Sequence, residues 1–116
     1  MPIDAHQLDP LTDQAAQAFL EMLAGRFDVA SAILFGSRAR QQHRPDSDAD
    51  VAVILHRAKG PFLDTKLVMA DVAYDVLLET GVLIQPLPIW EEEWEHPELF
   101  GNRDLLRNIR RDGVRL

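Results

Sequence analysis

The chain contains no cysteine, so a disulfide framework and a cysteine-ligated zinc site are both excluded. It also contains no apolar stretch long enough to cross a bilayer. The first residues, Met1-Pro2-Ile3-Asp4, lack the charged segment followed by an apolar segment that a secretion signal requires. We therefore expect a cytoplasmic protein with no membrane partner.

Positive charge is in deficit, with 19 acidic residues against 12 lysines and arginines and a net charge of −7. The resulting field repels a polyanion, so we do not expect a long DNA or RNA template as the substrate. Three arginines, Arg38, Arg40 and Arg44, nevertheless lie close together in the sequence. Such a cluster would attract a smaller anion, for example a triphosphate.

At 116 residues, of which 47% are hydrophobic, the chain is expected to form one domain over residues 1–116 with a single modest core. The apolar periodicity predicts helices over 11–27, 61–80 and 97–112, a short helical turn over 37–42, and strands over 29–35, 48–55 and 82–89. The predicted fold class is therefore α/β (α+β), with a small mixed sheet of three to four strands flanked by about four helices.

Three details of this pattern can be checked against the structure. The helix over 61–80 is predicted to carry one apolar face, formed by Leu63, Leu67, Ala70, Tyr74, Leu77 and Leu78. Pro86 and Pro88 are expected to push the later half of the third strand to a sheet edge or out of the ladder. Gly101 is expected to interrupt or delay the last helix.

The most informative motif joins a strand to a tight turn and then to a second strand. The apolar run that ends at Phe35 leads directly into Gly36 and Ser37. After ten intervening residues, Asp48-Ala49-Asp50 follows at the start of the next strand. Side chains at i and i+2 of a strand project from the same face, so Asp48 and Asp50 are predicted to converge.

This arrangement suits the binding of a nucleoside triphosphate together with a divalent metal. Two carboxylates are typical ligands of Mg²⁺, which leaves its other positions to water and substrate phosphates. A glycine lets the backbone approach phosphate oxygens closely, and Ser37 adds a hydroxyl and a backbone N–H. Arg38 and Arg40 are candidate phosphate contacts. Mn²⁺ is an alternative to Mg²⁺.

These residues resemble the signature of the polymerase-beta-type nucleotidyltransferases. The resemblance rests on Phe35-Gly36-Ser37-Arg38-Ala39-Arg40 and on Pro45-Asp46-Ser47-Asp48-Ala49-Asp50-Val51, and the short chain is similar to the minimal branch, the MNT proteins. It implies a nucleotidyltransferase fold, triphosphate binding by Ser37, metal binding by Asp48 and Asp50, and transfer of AMP from ATP. Minimal members are often antitoxins of small, all-helical HEPN toxins, and some adenylylate a tyrosine of the toxin.

The sequence departs from the family pattern at one position. The family's third catalytic carboxylate lies on the following strand, where this chain has Gln85 as the expected occupant. An amide coordinates metal weakly and is not a base near pH 7. Asp75 and Glu79, or the acidic run Glu91–Glu93, are other carboxylates that would have to substitute.

Three functions therefore remain open from the sequence. The first is an active, Mg²⁺-dependent adenylyltransferase that modifies a hydroxyl of a partner toxin. The second is a catalytically degenerate domain that neutralises a toxin or organises a complex by stoichiometric binding. The third is a transferase for an antibiotic or another small hydroxyl compound, for which the short chain offers few residues to enclose an acceptor.

Overall fold

The computed structural model describes residues 7–116. The elements in chain order are α1 (Pro10–Ala24), β1 (Val29–Phe35), β2 (Ala49–Leu55), α2 (Phe62–Thr80), β3 (Ile84–Trp90), α3 (Glu91–Glu95), a 3-10 turn (Pro97–Leu99), α4 (Arg103–Asp112) and β4 (Val114–Arg115). None of the helices within residues 7–116 is long and apolar enough to cross a membrane.

The four strands form one mixed sheet in the order β3-β2-β1-β4. The inner strands β1 and β2 are antiparallel, with Phe35 opposite Asp50, whereas β3 runs parallel to β2. The predicted fold class is confirmed, and the first strand has the predicted bounds. The prediction of an edge position for the proline-containing strand is also confirmed, although Pro86 and Pro88 both remain paired with β2. Because proline has no N–H to donate, an edge strand can hold two of them.

The two faces of the sheet carry different sets of helices. Alternate residues of β2, such as Val51 and Val53, pack against α1 and α2 in the larger core cluster. The intervening residues, such as Ala52 and Ile54, pack against α4 in the smaller cluster. Because Asp50 has the same parity in β2 as Ala52 and Ile54, its side chain lies on the α4 face of the sheet.

The last third of the chain is more divided than the sequence pattern predicts. Gly101 has a positive φ of 88°, which separates the 3-10 turn from α4 and confirms the expected interruption. The short helix α3 and the two-residue strand β4 are not predicted by the pattern. Strand β4 pairs with β1 through Leu34 and Val114, so it extends the sheet beyond β1.

The predicted apolar face of α2 is not the face that packs on the sheet, which is a correction to the sequence-based interpretation. The buried residues of α2 are Thr65, Met69, Val72, Ala73 and Val76. On the predicted face, Leu63, Leu67, Tyr74 and Leu78 are between 56% and 69% exposed. Helix α2 thus carries one apolar face against the sheet and a second apolar face towards solvent.

Asp9 forms the N-terminal cap of α1. Its carboxylate accepts a hydrogen bond from the backbone N–H of Thr12 at 3.0 Å and another from the Thr12 hydroxyl. The hydroxyl bond is the main cause that lowers the pKa of Asp9, and the nearby charges of His43 and Arg38 lower it further. The cap is therefore strongest when Asp9 is ionised.

We expect Asp9→Ala to lower the free energy of unfolding by about 1 kcal/mol near neutral pH, the usual cost of losing a helix cap. Because the folded-state pKa is lowered, the charge-dependent part of this contribution is present above the ordinary aspartate pKa. It is lost as the pH falls through the folded-state pKa. Urea denaturation of both proteins at several pH values measures the difference, and a difference that grows with acidity would contradict this assignment.

Candidate functional site

The two aspartates of the motif lie where β2 begins, at an end of the sheet that solvent reaches. Asp48 directly precedes the strand and is exposed, whereas Asp50 is its second residue and is half-buried. The backbone N–H of the intervening Ala49 donates to Leu83 O at 2.9 Å, which fixes the start of the strand against the segment before β3. Ala49 is buried in the larger core on the opposite face.

Gly36 brings the turn after β1 against the Asp50 carboxylate. Its φ is +76°, a backbone conformation that residues other than glycine rarely adopt. A Cβ atom built at Gly36 would overlap Asp50 Oδ2. The missing side chain therefore leaves a space in which the backbone, the carboxylate and a small ligand can approach one another.

The pKa of Asp50 is raised above the ordinary aspartate value, mainly because burial disfavours the charged carboxylate and secondly because Asp48 carries a like charge. The positive charge of Arg40 acts in the opposite direction. Two carboxylates that repel each other in a partly desolvated position gain from a divalent cation between them. The electrostatics of the pair are therefore those of a cation site.

Gln85 lies beside this pair on the neighbouring strand. It is the register partner of Asp50, and its side-chain Nε2 donates a hydrogen bond to Asp48 Oδ2 at 3.0 Å. The amide therefore occupies one acceptor position of Asp48. It supplies a neutral donor at the point where a third carboxylate would add a negative charge.

Ser37 and Arg40 belong to the hydrogen-bonded turn that follows Gly36. The Arg40 N–H donates to Gly36 O at 3.2 Å, and the Gln42 N–H donates to Ser37 O at 2.9 Å. These bonds form a single compact turn rather than a regular helix. Among the residues that the structure describes, none makes a hydrogen bond to the Ser37 hydroxyl, which leaves that group available to a phosphate oxygen. Arg40 is exposed.

The structure does not bring the Arg38 side chain into the site. It is 2% exposed and donates to Ser47 O at 2.9 Å, to Pro45 O at 3.3 Å and to the Thr12 hydroxyl at 2.7 Å, with Asp9 Oδ2 3.5 Å away. Its guanidinium joins the loop before β2 to the start of α1. Arg38 thus supports the loop that carries the aspartates, a role different from the phosphate contact suggested by the sequence.

Replacement of this arginine is expected to destabilise the fold. We expect Arg38→Met to lower the free energy of unfolding by about 2 to 3 kcal/mol, because it removes several hydrogen bonds from a charged, buried donor. The matched control is Arg44→Met, which changes an exposed arginine of the same loop and should cost under about 0.5 kcal/mol. Chemical denaturation compares the variants, and equal losses would contradict a special role for Arg38.

The donor set fits Mg²⁺ or Mn²⁺ held jointly by protein and nucleotide. Asp48 and Asp50 offer hard carboxylate oxygens beside the space left by Gly36. Among residues 7–116, no group of three or more histidine, cysteine, aspartate or glutamate side chains is placed to hold a metal. Mg²⁺ is commonly bound by one or two carboxylates together with water and substrate phosphates, so two protein ligands suffice.

The other acidic side chains considered from the sequence lie elsewhere. Asp75 and Glu79 are on α2, which covers the opposite face of the sheet. Glu91 follows the far end of β3 and contacts His56 Nδ1 at 2.7 Å. Because β2 and β3 are parallel, that end lies a full strand length from Asp50. None of these carboxylates replaces the one missing at Gln85.

The structure also brings a residue towards the site that the sequence did not suggest. The pKa of Asp112, in the last turn of α4, is lowered mainly by the hydrogen bond from Arg111, and the positive charge of Arg40 lowers it further. No local spacing signals this approach, because it depends on β4 returning the chain to β1.

Residues 17–86 match the family model described as Polymerase beta, Nucleotidyltransferase, and they make up more than half of the chain. The chain belongs to the polymerase beta nucleotidyltransferase family. The segment of this nucleotidyltransferase domain that matches includes the turn at Gly36 and Ser37, both aspartates and Gln85. No curated protein shows significant similarity to the sequence.

Among solved structures, the nucleotidyltransferase domain is similar to a protein from Sulfolobus solfataricus whose 1.40 Å crystal structure is provisionally described as that of a nucleotidyltransferase. The TM-score is 0.53 at 21% sequence identity, and the match covers 72% of this chain and 70% of the other. At this identity the likeness supports the fold alone. The match to the nucleotidyltransferase fold confirms the architecture expected from the sequence.

Proposed function

We propose that this protein binds ATP with Mg²⁺, or with Mn²⁺, and transfers AMP to a hydroxyl group of a partner protein, as the antitoxin of a HEPN-type toxin. The observation that carries the proposal is the pair Asp48 and Asp50 on one sheet face, with the Gly36 turn in direct contact with Asp50. The Ser37 hydroxyl and the Arg40 charge lie beside the same turn.

The proposed reaction forms a bond between the hydroxyl oxygen of the partner and the α-phosphorus of ATP. The bond from the α-phosphorus to the oxygen that bridges the α- and β-phosphates breaks, and pyrophosphate leaves. The hydroxyl proton passes to solvent, because the Gln85 amide is not a base near neutral pH. A divalent cation at Asp48 and Asp50 supplies charge neutralisation on the triphosphate when bound. The protein contributes position: Gly36 gives close approach and Ser37 gives a hydrogen bond.

The decisive experiment is intact-mass analysis of a HEPN-type partner that co-purifies with this chain. With ATP and Mg²⁺, the partner is expected to gain the mass of one AMP, and Asp48→Asn should abolish the gain. The matched control is Asp46→Asn, which changes an exposed aspartate two residues earlier and should leave the gain intact. A partner that never gains mass, although the complex binds ATP, would exclude the transfer reaction.

A second function is favoured by one specific contact. The hydrogen bond from Gln85 to Asp48 fills the third position with a donor that is not a base, which fits a degenerate domain that binds its partner stoichiometrically. In that case Asp48→Asn should still form the complex and still protect cells from the toxin. Loss of protection with an intact complex would instead support catalysis.

A further inference from the structure

Helix α2 presents an outward apolar stripe, formed by Leu63, Leu67, Ala70, Tyr74 and Leu78. Their spacing of three or four residues places all five on one side of the helix. Leu63 is 64% exposed, Leu67 56%, Tyr74 57% and Leu78 69%. The stripe runs along a helix of 19 residues, which is about 28 Å long. Large apolar side chains aligned in this way form a continuous surface rather than scattered exposed residues.

The fold of residues 7–116 does not use this stripe. The opposite side of α2 already fills the core with Met69, Val72 and Val76. A helix with apolar residues on both sides is typical of an element covered on both sides. The spacing of the exposed set, at 63, 67, 70 and 74, also matches the alternating steps of four and three found in helix-to-helix seams.

Acidic residues border the stripe along one side. Asp64, Asp71 and Asp75 are all exposed and follow one another at intervals of seven and four residues, so they form a row beside the apolar residues. The other border carries a single positive charge, that of Lys66. The acidic border therefore favours a partner surface with positive charge beside its apolar residues.

A second copy of this chain fits the surface poorly. If two α2 helices paired in antiparallel fashion, the acidic row of each would face the same row of the other, because equivalent flanking positions meet in that arrangement. In a parallel pair, the acidic row would face a flank whose only cation is Lys66. Like charges across the interface disfavour the antiparallel pair, and in the parallel pair a single lysine is too little positive charge to balance three aspartates. A helix with lysine or arginine beside its apolar residues satisfies both the apolar stripe and the acidic row.

We propose that the outward face of α2 docks an amphipathic helix of a partner protein, with a leucine-rich seam flanked by lysine or arginine. The proposal rests on the proposed function in one respect: the partner that docks on α2 is the protein that receives AMP. Because α2 and Asp50 lie on opposite faces of the sheet, docking leaves the candidate nucleotide site open. The two proposals can therefore fail separately.

The experiment titrates this protein into labelled synthetic helices of about 20 residues, the length of α2. One peptide has leucine at the seam positions and lysine at the flanking positions. The matched peptide has glutamate at the flanking positions, and a scrambled lysine peptide has the same composition without a seam. Fluorescence anisotropy is expected to show binding of the first peptide alone.

Two kinds of variant assign the binding to α2. Leu67→Ser and Tyr74→Ser change exposed side chains and should each weaken binding of the lysine peptide by about tenfold, without a change in net charge. The control Leu99→Ser changes another exposed leucine, 46% exposed and outside α2, and should have no effect. The double variant with Asp71→Lys and Asp75→Lys should reverse the preference, so that it binds the glutamate peptide.

The outcomes separate the possibilities. Seam-dependent binding with charge reversal supports the docking surface. The proposal is overturned if the lysine peptide fails to bind, if the scrambled peptide binds equally well, or if Leu67→Ser has no effect. It is also overturned if light scattering shows a dimer that Leu67→Ser dissociates, because a second copy would then cover the stripe. Calorimetry with ATP and Mg²⁺ on the same variants tests the nucleotide site independently.

Discussion

Asp50→Asn is expected to abolish the proposed AMP transfer and to weaken Mg²⁺-dependent ATP binding by about 100-fold, a loss typical of damaged metal sites. The substitution removes the half-buried carboxylate that lies against Gly36 and leaves the shape of the side chain nearly unchanged. Isothermal titration calorimetry with ATP, in Mg²⁺ and in chelator, measures the loss. Asp46→Asn, in the exposed loop before β2, should bind as the unsubstituted protein does.

The same substitution should raise the free energy of unfolding in the absence of metal. Burial and the charge of Asp48 raise the pKa of Asp50, so the folded state loses stability as the pH rises through that pKa. Near neutral pH the charged carboxylate is therefore a cost, which asparagine avoids. Denaturation in chelator checks this, and added Mg²⁺ should stabilise only the protein with Asp50. If Asp50→Asn is less stable without metal and binds ATP with Mg²⁺ as the unsubstituted protein does, Asp50 is not part of the nucleotide site.

The local part of this site follows from the sequence alone. The strand that ends at Phe35, the turn at Gly36 and the alternation of Asp48 and Asp50 involve only neighbouring residues and the two-residue period of a strand. The position of Gln85 also follows, because a parallel neighbour of β2 brings one of its first residues beside Asp50. These features need no knowledge of how distant helices pack.

The features that were missed depend on long-range packing. The burial of Arg38 requires Asp9 and Thr12, which are more than 25 residues earlier in the chain, to meet the loop before β2. For α2, both sides of the helix are apolar, so periodicity cannot choose which side faces the sheet. The structure places the side with Met69 inwards and the side with Leu67 outwards. When two sides of a helix both fit the apolar period, tertiary contacts decide which side faces the sheet.

The stability cost at Asp50 and the exposed stripe on α2 have a related physical meaning. The charge of Asp50 lowers the stability of the isolated fold, and the stripe leaves apolar surface uncovered. Under the two proposals, a cation would relieve the first and a partner helix would cover the second. They lie on opposite faces of the sheet. Gln85 is different, because its amide relieves the negative charge at the site without any ligand, through its hydrogen bond to Asp48.

Because the Gln85 amide relieves charge at the site, Gln85→Glu is expected to change stability, cation binding and AMP transfer. The new side chain has the same size, so its carboxylate would replace an amide that lies 3.0 Å from Asp48 Oδ2. Without metal, three neighbouring carboxylates should lower the free energy of unfolding, because a favourable hydrogen bond becomes a repulsion. With Mg²⁺ the third oxygen ligand should tighten cation binding by about tenfold or more. A base near the acceptor should also raise the rate of AMP transfer by about 100-fold.

The control for Gln85→Glu is Gln85→Ala, which removes the amide without adding charge. Thermal denaturation with increasing Mg²⁺ should show a larger stabilisation for Gln85→Glu than for either the alanine variant or the unsubstituted protein, and intact-mass analysis of the partner follows the rate. If transfer accelerates, the amide at Gln85 is what limits catalysis in this chain. If Mg²⁺ stabilises all three proteins equally, residue 85 does not contact the cation. Gln85 would then not occupy the position of a third metal ligand beside Asp48.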